Sequence, residues 1–99
     1  MKRIISKKII RTFWEQRFSD SKGALESWYA EVKSAQWQTP AEIKAQYRNA
    51  SILKGSRVVF NICGNKYRVI VRINFSASIV YIRFVGTHKE YDTIDAESI

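Results

Sequence analysis

The spacing of apolar residues changes near the middle of this 99-residue chain. Before residue 50 they recur every three or four positions, which is the period of a helix, and after residue 56 they alternate, which is the period of a strand. No repeat, linker or second composition regime interrupts the chain. We therefore expect one domain over residues 1–99, of the α+β class, with helices packed on one face of a small antiparallel sheet in two layers.

The first half predicts three helices. Arg3–Ile5 is either a short first strand or the lead-in to the first helix, which Ser6 is expected to cap. Thr39–Glu42 reads T-P-A-E, a capping box with proline in the first turn, and opens a short third helix. The apolar positions of the first two helices are Ile9, Ile10, Phe13 and Trp14, then Leu25, Trp28, Tyr29, Val32 and Ala35.

The second half predicts a meander of three antiparallel strands, Arg57–Ile62, Asn65–Phe75 and Ile79–Gly86. A tight turn at Ser76-Ala77 pairs Phe75 with Ser78 and sets the register behind it. That register places Arg83 opposite Ile70, Val85 opposite Arg68 and Thr87 opposite Lys66. Alternation in the middle strand sends Tyr67, Val69, Val71, Ile73 and Phe75 into the core, and Lys66, Arg68, Ile70, Arg72 and Asn74 to the other face.

One face of the sheet is therefore expected to be cationic, with no Asp or Glu. It collects Arg57, Asn61, Lys66, Arg68, Arg72 and Arg83. The chain carries a net charge of +8, and all 17 basic residues but only five of the nine acidic ones lie in residues 1–89. A solvated strand face often carries some lysine and arginine, but forked guanidinium donors also match the phosphates of RNA.

The segment after the last strand holds the only histidine. If Thr87 caps a short helix, His88 and Tyr91 share one side, and Asp92 is close enough to touch His88. An imidazole can donate or accept a proton near neutral pH, whereas a lone histidine at a strand end is more often structural or exposed.

Several classes of site are excluded by composition. One cysteine, Cys63, allows no internal disulfide, and with one histidine it forms no zinc site of known spacing. The four glycines are scattered, so no phosphate-binding loop is present, and Cys63 is interpreted as a turn residue. No apolar run is long enough for a membrane span or a signal peptide. We expect a reduced, cytoplasmic protein whose catalysis, if any, needs no metal or cofactor.

Residues 57–75 read R-V-V-F-N-I-C-G-N-K-Y-R-V-I-V-R-I-N-F, and residues 79–92 read I-V-Y-I-R-F-V-G-T-H-K-E-Y-D. With F-W, W-Y-x-E-V-K and T-P-A-E-I-K in the helices, the chain resembles the HigB family of toxin–antitoxin ribonucleases over nearly its whole length. The G-N-K-Y-R and T-H-K-E-Y-D stretches are the most specific parts of the resemblance.

The resemblance implies a compact RelE-like fold and a toxin that cuts mRNA in the ribosomal A site without a metal. It also implies a cognate helix-turn-helix antitoxin of the HigA type. In such enzymes the RNA 2′-hydroxyl attacks the adjacent phosphate. Arg68 looks like the strand arginine used on the phosphate, His88 falls near a second functional basic position, and Tyr91 is similar to the C-terminal tyrosine. Val59 and Asn61 stand where some members carry strand lysines, so no general base is assigned there.

Combining both lines, we expect Arg68 to bind the scissile phosphate and His88 to act as general acid or base. Tyr91 is expected to stack on a base or share the proton transfer. Lys66 and Arg83 are expected to stabilise charge or to position the RNA. Further RNA contacts are expected from Asn61, Arg57, Arg72 and Lys89. The basic residues of the first helix are expected to contact ribosomal RNA, and they are Lys7, Lys8 and Arg11. Two alternatives are a non-catalytic RNA- or DNA-binding module that tolerates His88→Ala, and an interaction subunit that docks an acidic partner.

Overall fold

Helices occupy the first half of the chain and strands the second, as the change in period predicts. The structure is a computed structural model that describes residues 1–99. None of its helices is long and apolar enough to cross a membrane. In chain order the elements are β1 (Arg3–Ile5), α1 (Lys7–Gln16), a 3-10 turn (Ser19–Ser21), α2 (Lys22–Ser34), α3 (Pro40–Gln46), β2 (Ser51–Ile52), β3 (Arg57–Ile62), β4 (Tyr67–Asn74), β5 (Ile79–Thr87) and α4 (His88–Tyr91).

The sheet has five strands in the order β1-β5-β4-β3-β2. The antiparallel meander β3-β4-β5 is confirmed, but it is not the whole sheet. β1 adds parallel to β5, with Ile4 beside Val80, and β2 adds antiparallel to β3, with Ser51 beside Val59. The chain is therefore α+β, as expected, with a mixed sheet.

The helices cover one face of this sheet, which we call the inner face. The inward residues of β4 are those that alternation predicts, and Val69 and Val71 are completely buried. The helices contribute Ile10, Phe13, Trp14, Leu25, Trp28, Val32 and Ile43 to the same core. A single apolar cluster thus joins the two layers and leaves the opposite, outer face to carry other groups.

The helix starts predicted in the first half of the chain have different outcomes. The Thr39 capping box is confirmed, because the Glu42 carboxylate accepts the Thr39 backbone N–H at 3.1 Å. The prediction that Ser6 caps α1 is wrong. Ser6 has a φ of 74° and its side chain makes no capping hydrogen bond, because this left-handed residue turns the chain from β1 directly into the helix.

A β-bulge between β4 and β5 corrects the predicted register. Asn74 pairs with Ile79 and Val71 with Ile82, as the turn predicts, but the pairing then shifts by one residue at Arg83. Phe84 therefore faces Ile70, Gly86 faces Arg68 and Thr87 faces Tyr67. Because of this bulge, the predicted partners of Ile70, Arg68 and Lys66 were wrong. Val85 lies in the inner core instead of on the outer face.

The outer face is not polar along its whole length. Val59, Ile70 and Phe84 are cross-strand neighbours in its middle. Apolar residues of the acidic C-terminal segment, Ile94, Ala96 and Ile99, pack over them as a second small cluster. Ile70, which alternation predicted to be an outward residue, is consequently 0% exposed.

This cover makes Ile70 a stability determinant. We expect Ile70→Ala to lower the free energy of unfolding by about 2–4 kcal/mol, because it opens a cavity between the sheet and the C-terminal segment. The matched variant Arg72→Ala, two residues along the same face and exposed, should change it by less than about 0.5 kcal/mol. Urea unfolding measures both, and equal effects would mean that the C-terminal segment does not cover Ile70.

Candidate functional site

Cross-strand pairing arranges the outer face in three rows that run across β3, β4 and β5. We call them the site row (Asn61, Arg68 and Gly86), the apolar row (Val59, Ile70 and Phe84) and the distal row (Arg57, Arg72 and Tyr81). The apolar row lies under the C-terminal segment. The predicted cationic face is therefore two separate cationic regions with an apolar strip between them.

Arg68 is the central side chain of the site row. Its guanidinium carbon lies 4.6 Å from the centre of the Tyr91 ring, and its Nη2 donates to Asn65 Oδ1 at 3.0 Å. Its Nε is buried and makes no hydrogen bond. The three ion pairs of the molecule involve other side chains, so no carboxylate neutralises Arg68. An oriented arginine with its charge unpaired is suited to bind a phosphate.

The predicted short helix after β5 is confirmed and carries His88 and Tyr91. Thr87 caps it, since its Oγ1 accepts the Glu90 N–H at 3.1 Å and the Glu90 carboxylate accepts the Thr87 N–H at 3.0 Å. The expected contact of Asp92 is also present, with His88 Nδ1 3.2 Å from its Oδ2. The helix thus places an oriented imidazole at the end of the strand that pairs with Arg68.

Gly86 allows the strand to pass close beside these groups. A Cβ at this position would lie 2.5 Å from Phe84 Cζ and 3.2 Å from Glu90 Oε1. Distances below 3.0 Å force one of the two groups to move. A side chain here would therefore displace either the apolar row or the α4 cap.

An ion pair that sequence reasoning missed anchors α4 to the helical layer. Arg17 Nη2 lies 2.8 Å from Glu90 Oε2, and the Arg17 guanidinium also packs over the rings of Phe13 and Phe18. The Thr87 backbone N–H, followed by Arg17, holds the pKa of Glu90 below its usual value. Because Arg17 ends α1 and Glu90 lies 73 residues later, no local pattern signalled the pair.

Lys66 does not lie on the outer face as predicted. It precedes β4 in the hairpin turn, and its Nζ lies 2.7 Å from Asp20 Oδ2. The Tyr67 hydroxyl donates to the same carboxylate at 2.8 Å. The Lys66 contact, followed by the Tyr67 hydrogen bond, lowers the pKa of Asp20, and Asp20 raises the pKa of Lys66. This pair joins the 3-10 turn to the β3–β4 hairpin.

The other predicted site residues are dispersed. Asn61 pairs with Arg68, as expected, and donates to the Asn49 carbonyl at 3.4 Å, whereas Lys89 is exposed on α4. Arg57 and Arg72 pair with each other in the distal row, and the Arg57 Nε donates to the Ile99 carbonyl. Arg83 lies in the bulge, 6.0 Å from the Tyr81 ring, and so belongs to the distal region.

The structure also bears on metal binding and on the role of the single cysteine. No three His, Cys, Asp or Glu side chains lie close enough to hold a metal ion. Cys63 is exposed in the β3–β4 turn with a φ of 55°, consistent with its interpretation as a turn residue. The structure brings Arg68 together with Tyr91 and with Asn65, which was not predicted, and it brings His88 together with Asp92. Helix α4 joins the two groups, because it carries both His88 and Tyr91.

The lowered pKa of Asp20 predicts an acid-sensitive hairpin. Its stabilising effect is present above the ordinary carboxyl range and is lost as the pH falls through that range, from about pH 5 to pH 2. Asp20→Asn should therefore be less stable than the wild type at pH 7, and the difference should shrink toward zero at pH 2. Urea unfolding across this range checks it, and a difference independent of pH would show that the carboxylate charge plays no part.

Comparison with known proteins identifies a family and several relatives. A family model, HigB_toxin, described as the RelE-like toxic component of a toxin–antitoxin system, matches residues 21–94. An mRNA interferase HigB of Escherichia coli O6:H1 is 32% identical over 73 residues, which are 72% of this chain and 71% of that relative. The mRNA interferase toxin HigB of Escherichia coli K12 is 34% identical over 67 residues, which are 66% of this chain and 64% of that relative. The match thus spans just under two thirds of the K12 protein.

The family match includes the site row and α4. Arg68, His88 and Tyr91 all lie inside the matched residues, as do β3, β4 and β5. The α+β fold with a short C-terminal helix agrees with the resemblance that the G-N-K-Y-R and T-H-K-E-Y-D stretches suggested. The chain belongs to the HigB family of RelE-like toxins, the toxic components of toxin–antitoxin systems.

Proposed function

We propose that this toxin is a metal-independent endoribonuclease that cleaves mRNA on the ribosome and thereby inhibits translation, as part of a type II toxin–antitoxin system. The observation that carries the proposal is the unneutralised Arg68 guanidinium, which packs on Tyr91 of α4, the same short helix that carries an imidazole paired with a carboxylate. Relatives named mRNA interferases support the same reaction. No cofactor is part of the proposal.

Arg68 binds the scissile phosphate. A dianionic phosphorane-like transition state carries more charge than the ground-state phosphate, so a fixed cation stabilises it preferentially. Tyr91 acts as a positioning residue, since its ring packs against the guanidinium and limits its freedom. Asn65, which accepts from Nη2, fixes the other side of the fork. Arg68 therefore needs little reorganisation when the phosphate arrives.

His88 transfers the proton. His88 Nδ1 lies 3.2 Å from Asp92 Oδ2, so the imidazole presents its other nitrogen, Nε2, to the substrate. In the reaction the 2′-oxygen forms a bond to phosphorus, the bond from phosphorus to the 5′-oxygen breaks, and a 2′,3′-cyclic phosphate results. The 2′-hydroxyl loses a proton and the leaving 5′-oxygen gains one. His88 performs one of these two transfers.

Basic residues on helix α1 would bind the toxin to the ribosome. Lys7, Lys8 and Arg11 are exposed on α1, and none of them forms an ion pair. We assign them to ribosomal RNA, because exposed, unpaired cations add affinity for polyanions without sequence preference. Action on ribosomes places the protein in the cytoplasm.

The regulatory partner is a cognate antitoxin with a helix-turn-helix domain, of the HigA type. Induced expression of the toxin should stop growth, and co-expression of the protein encoded beside it should restore growth. Pulse labelling of new protein checks that translation is the affected process. Growth arrest with undiminished translation would contradict the proposed function.

The role of Arg68 predicts a loss of cleavage without a loss of folding. Arg68→Ala should reduce cleavage of translated mRNA by at least a hundredfold, while the free energy of unfolding changes by no more than about 1 kcal/mol. Arg68→Lys keeps the positive charge but loses the forked guanidinium donors, so its cleavage rate should lie between those of the wild type and Arg68→Ala. Lys54→Ala, in the exposed loop after β2, is the matched control. Near wild-type cleavage by Arg68→Ala would remove the phosphate role.

The role of His88 separates an enzyme from a binding module. His88→Gln keeps hydrogen bonding but cannot titrate, so cleavage should slow by about a hundredfold to ten-thousandfold while ribosome binding persists. Lys89→Gln, the exposed neighbour on α4, should stay within about tenfold of the wild type. If His88→Gln and Tyr91→Phe both cleave normally, the protein's site lies elsewhere. If the wild type binds RNA but never cuts it, the protein is the non-catalytic module.

A further inference from the structure

The distal end of the outer face contains a polar cavity that the proposed reaction does not use. It has a volume of about 300 Å³, at the lower end of the range for small-molecule sites. Its lining includes Ser56, Arg72, Asn74, Ser76 and Tyr81, and no carboxylate. The cavity thus combines hydroxyl, amide and guanidinium donors with two aromatic residues, Phe75 and Tyr81.

Arg72, which lines this cavity, and Arg83, beside the Tyr81 ring, have no anionic partner. Arg72 and Arg83 are exposed, and neither takes part in an ion pair or a side-chain hydrogen bond. By contrast, Arg17 and Lys66 are paired with Glu90 and Asp20. Arg72 and Arg83 are therefore free to bind an external anion.

Tyr81 lies between these two charges. It pairs with Arg72 across the β4–β5 ladder, and Arg83 lies 6.0 Å from its ring. That separation is at the outer limit of a cation–π contact, so Arg83 does not pack tightly on the ring. Tyr81 is half-buried, which limits its movement, and it lines the cavity. A planar base can stack on a ring held in this way.

We propose that this cavity is a nucleotide subsite, in which Tyr81 stacks on a base of single-stranded mRNA and Arg72 and Arg83 bind the adjoining phosphates. The inference rests on the proposed function and extends it to nucleotides that flank the scissile bond. Arg68 and Arg72 are four residues apart on β4, so the subsite lies about 13 Å from the site row. The C-terminal segment over the apolar row separates the two regions.

The first test measures binding without cleavage. A fluorescent 2′-O-methylated RNA oligonucleotide of about ten nucleotides cannot be cut by its own 2′-oxygen, and anisotropy gives its Kd with the full chain. Tyr81→Ala should weaken binding by about five- to a hundredfold, and Tyr81→Phe should restore it. Arg72→Ala should reduce the slope of log K against log salt by about 0.7. Lys22→Ala, at the exposed start of α2, should change neither value.

The second test uses ribosomes translating an mRNA. Tyr81→Ala and Arg72→Ala should raise KM by at least fivefold and change kcat by less than threefold, because neither residue contacts the reacting bond. Arg72→Ala removes an exposed side chain, so its result does not depend on packing. Urea midpoints for both variants show whether folding is intact.

The two proposals fail differently. If Arg68→Ala abolishes cleavage but the distal variants leave both KM and oligonucleotide binding unchanged, the subsite is wrong and the endonuclease stands. If the wild type never cuts mRNA yet Tyr81→Ala weakens oligonucleotide binding, the endonuclease is wrong and the subsite stands. Tight binding of a polyglutamate peptide that Arg72→Ala weakens equally would show a protein-docking surface and overturn the RNA assignment.

Discussion

The one-residue bulge at Arg83 determines which side chains meet on the outer face. Before it, β4 and β5 pair in the register that the Ser76-Ala77 turn imposes, and after it every β5 residue has moved to the opposite face. The shift sends Phe84 to the apolar row, Val85 to the core and Gly86 to the side of Arg68. Without it, Val85 would lie beside Arg68 and α4 would leave the sheet with a different orientation.

Two long-range ion pairs complete the arrangement that the bulge begins. Arg17 holds α4 through Glu90, and Asp20 holds the β3–β4 hairpin through Lys66 and Tyr67. Glu90 and Asp20 each neutralise a cation, whereas Arg68 keeps its charge unpaired. The helical layer therefore supplies the fixed frame, and the outer face supplies the free charge that a phosphate requires.

Local patterns in the sequence predicted what local physics determines. The change of period predicted both layers, alternation predicted the inward residues of β4, and the T-H-K-E-Y-D stretch predicted the capped helix with its His88–Asp92 contact. The bulge was missed because nothing in Ile82–Phe84 marks an extra residue. The cover over Ile70 was missed because Ile94, Ala96 and Ile99 are isolated apolar residues in an acidic segment that shows no helical or strand period. Arg17 and Asp20 meet partners far away in the chain, which no local pattern reports.

The central claim is that Arg68 and His88 promote cleavage of RNA by internal attack of the 2′-oxygen. Its most direct test supplies ribosomes with an mRNA that carries a single 2′-deoxynucleotide on the 5′ side of the bond normally cut, and maps the product ends. Cleavage at that bond should disappear, and the unmodified mRNA should yield a 2′,3′-cyclic phosphate and a 5′-hydroxyl. Continued cleavage of the deoxy-substituted bond, or products ending in a 5′-phosphate, would contradict the account.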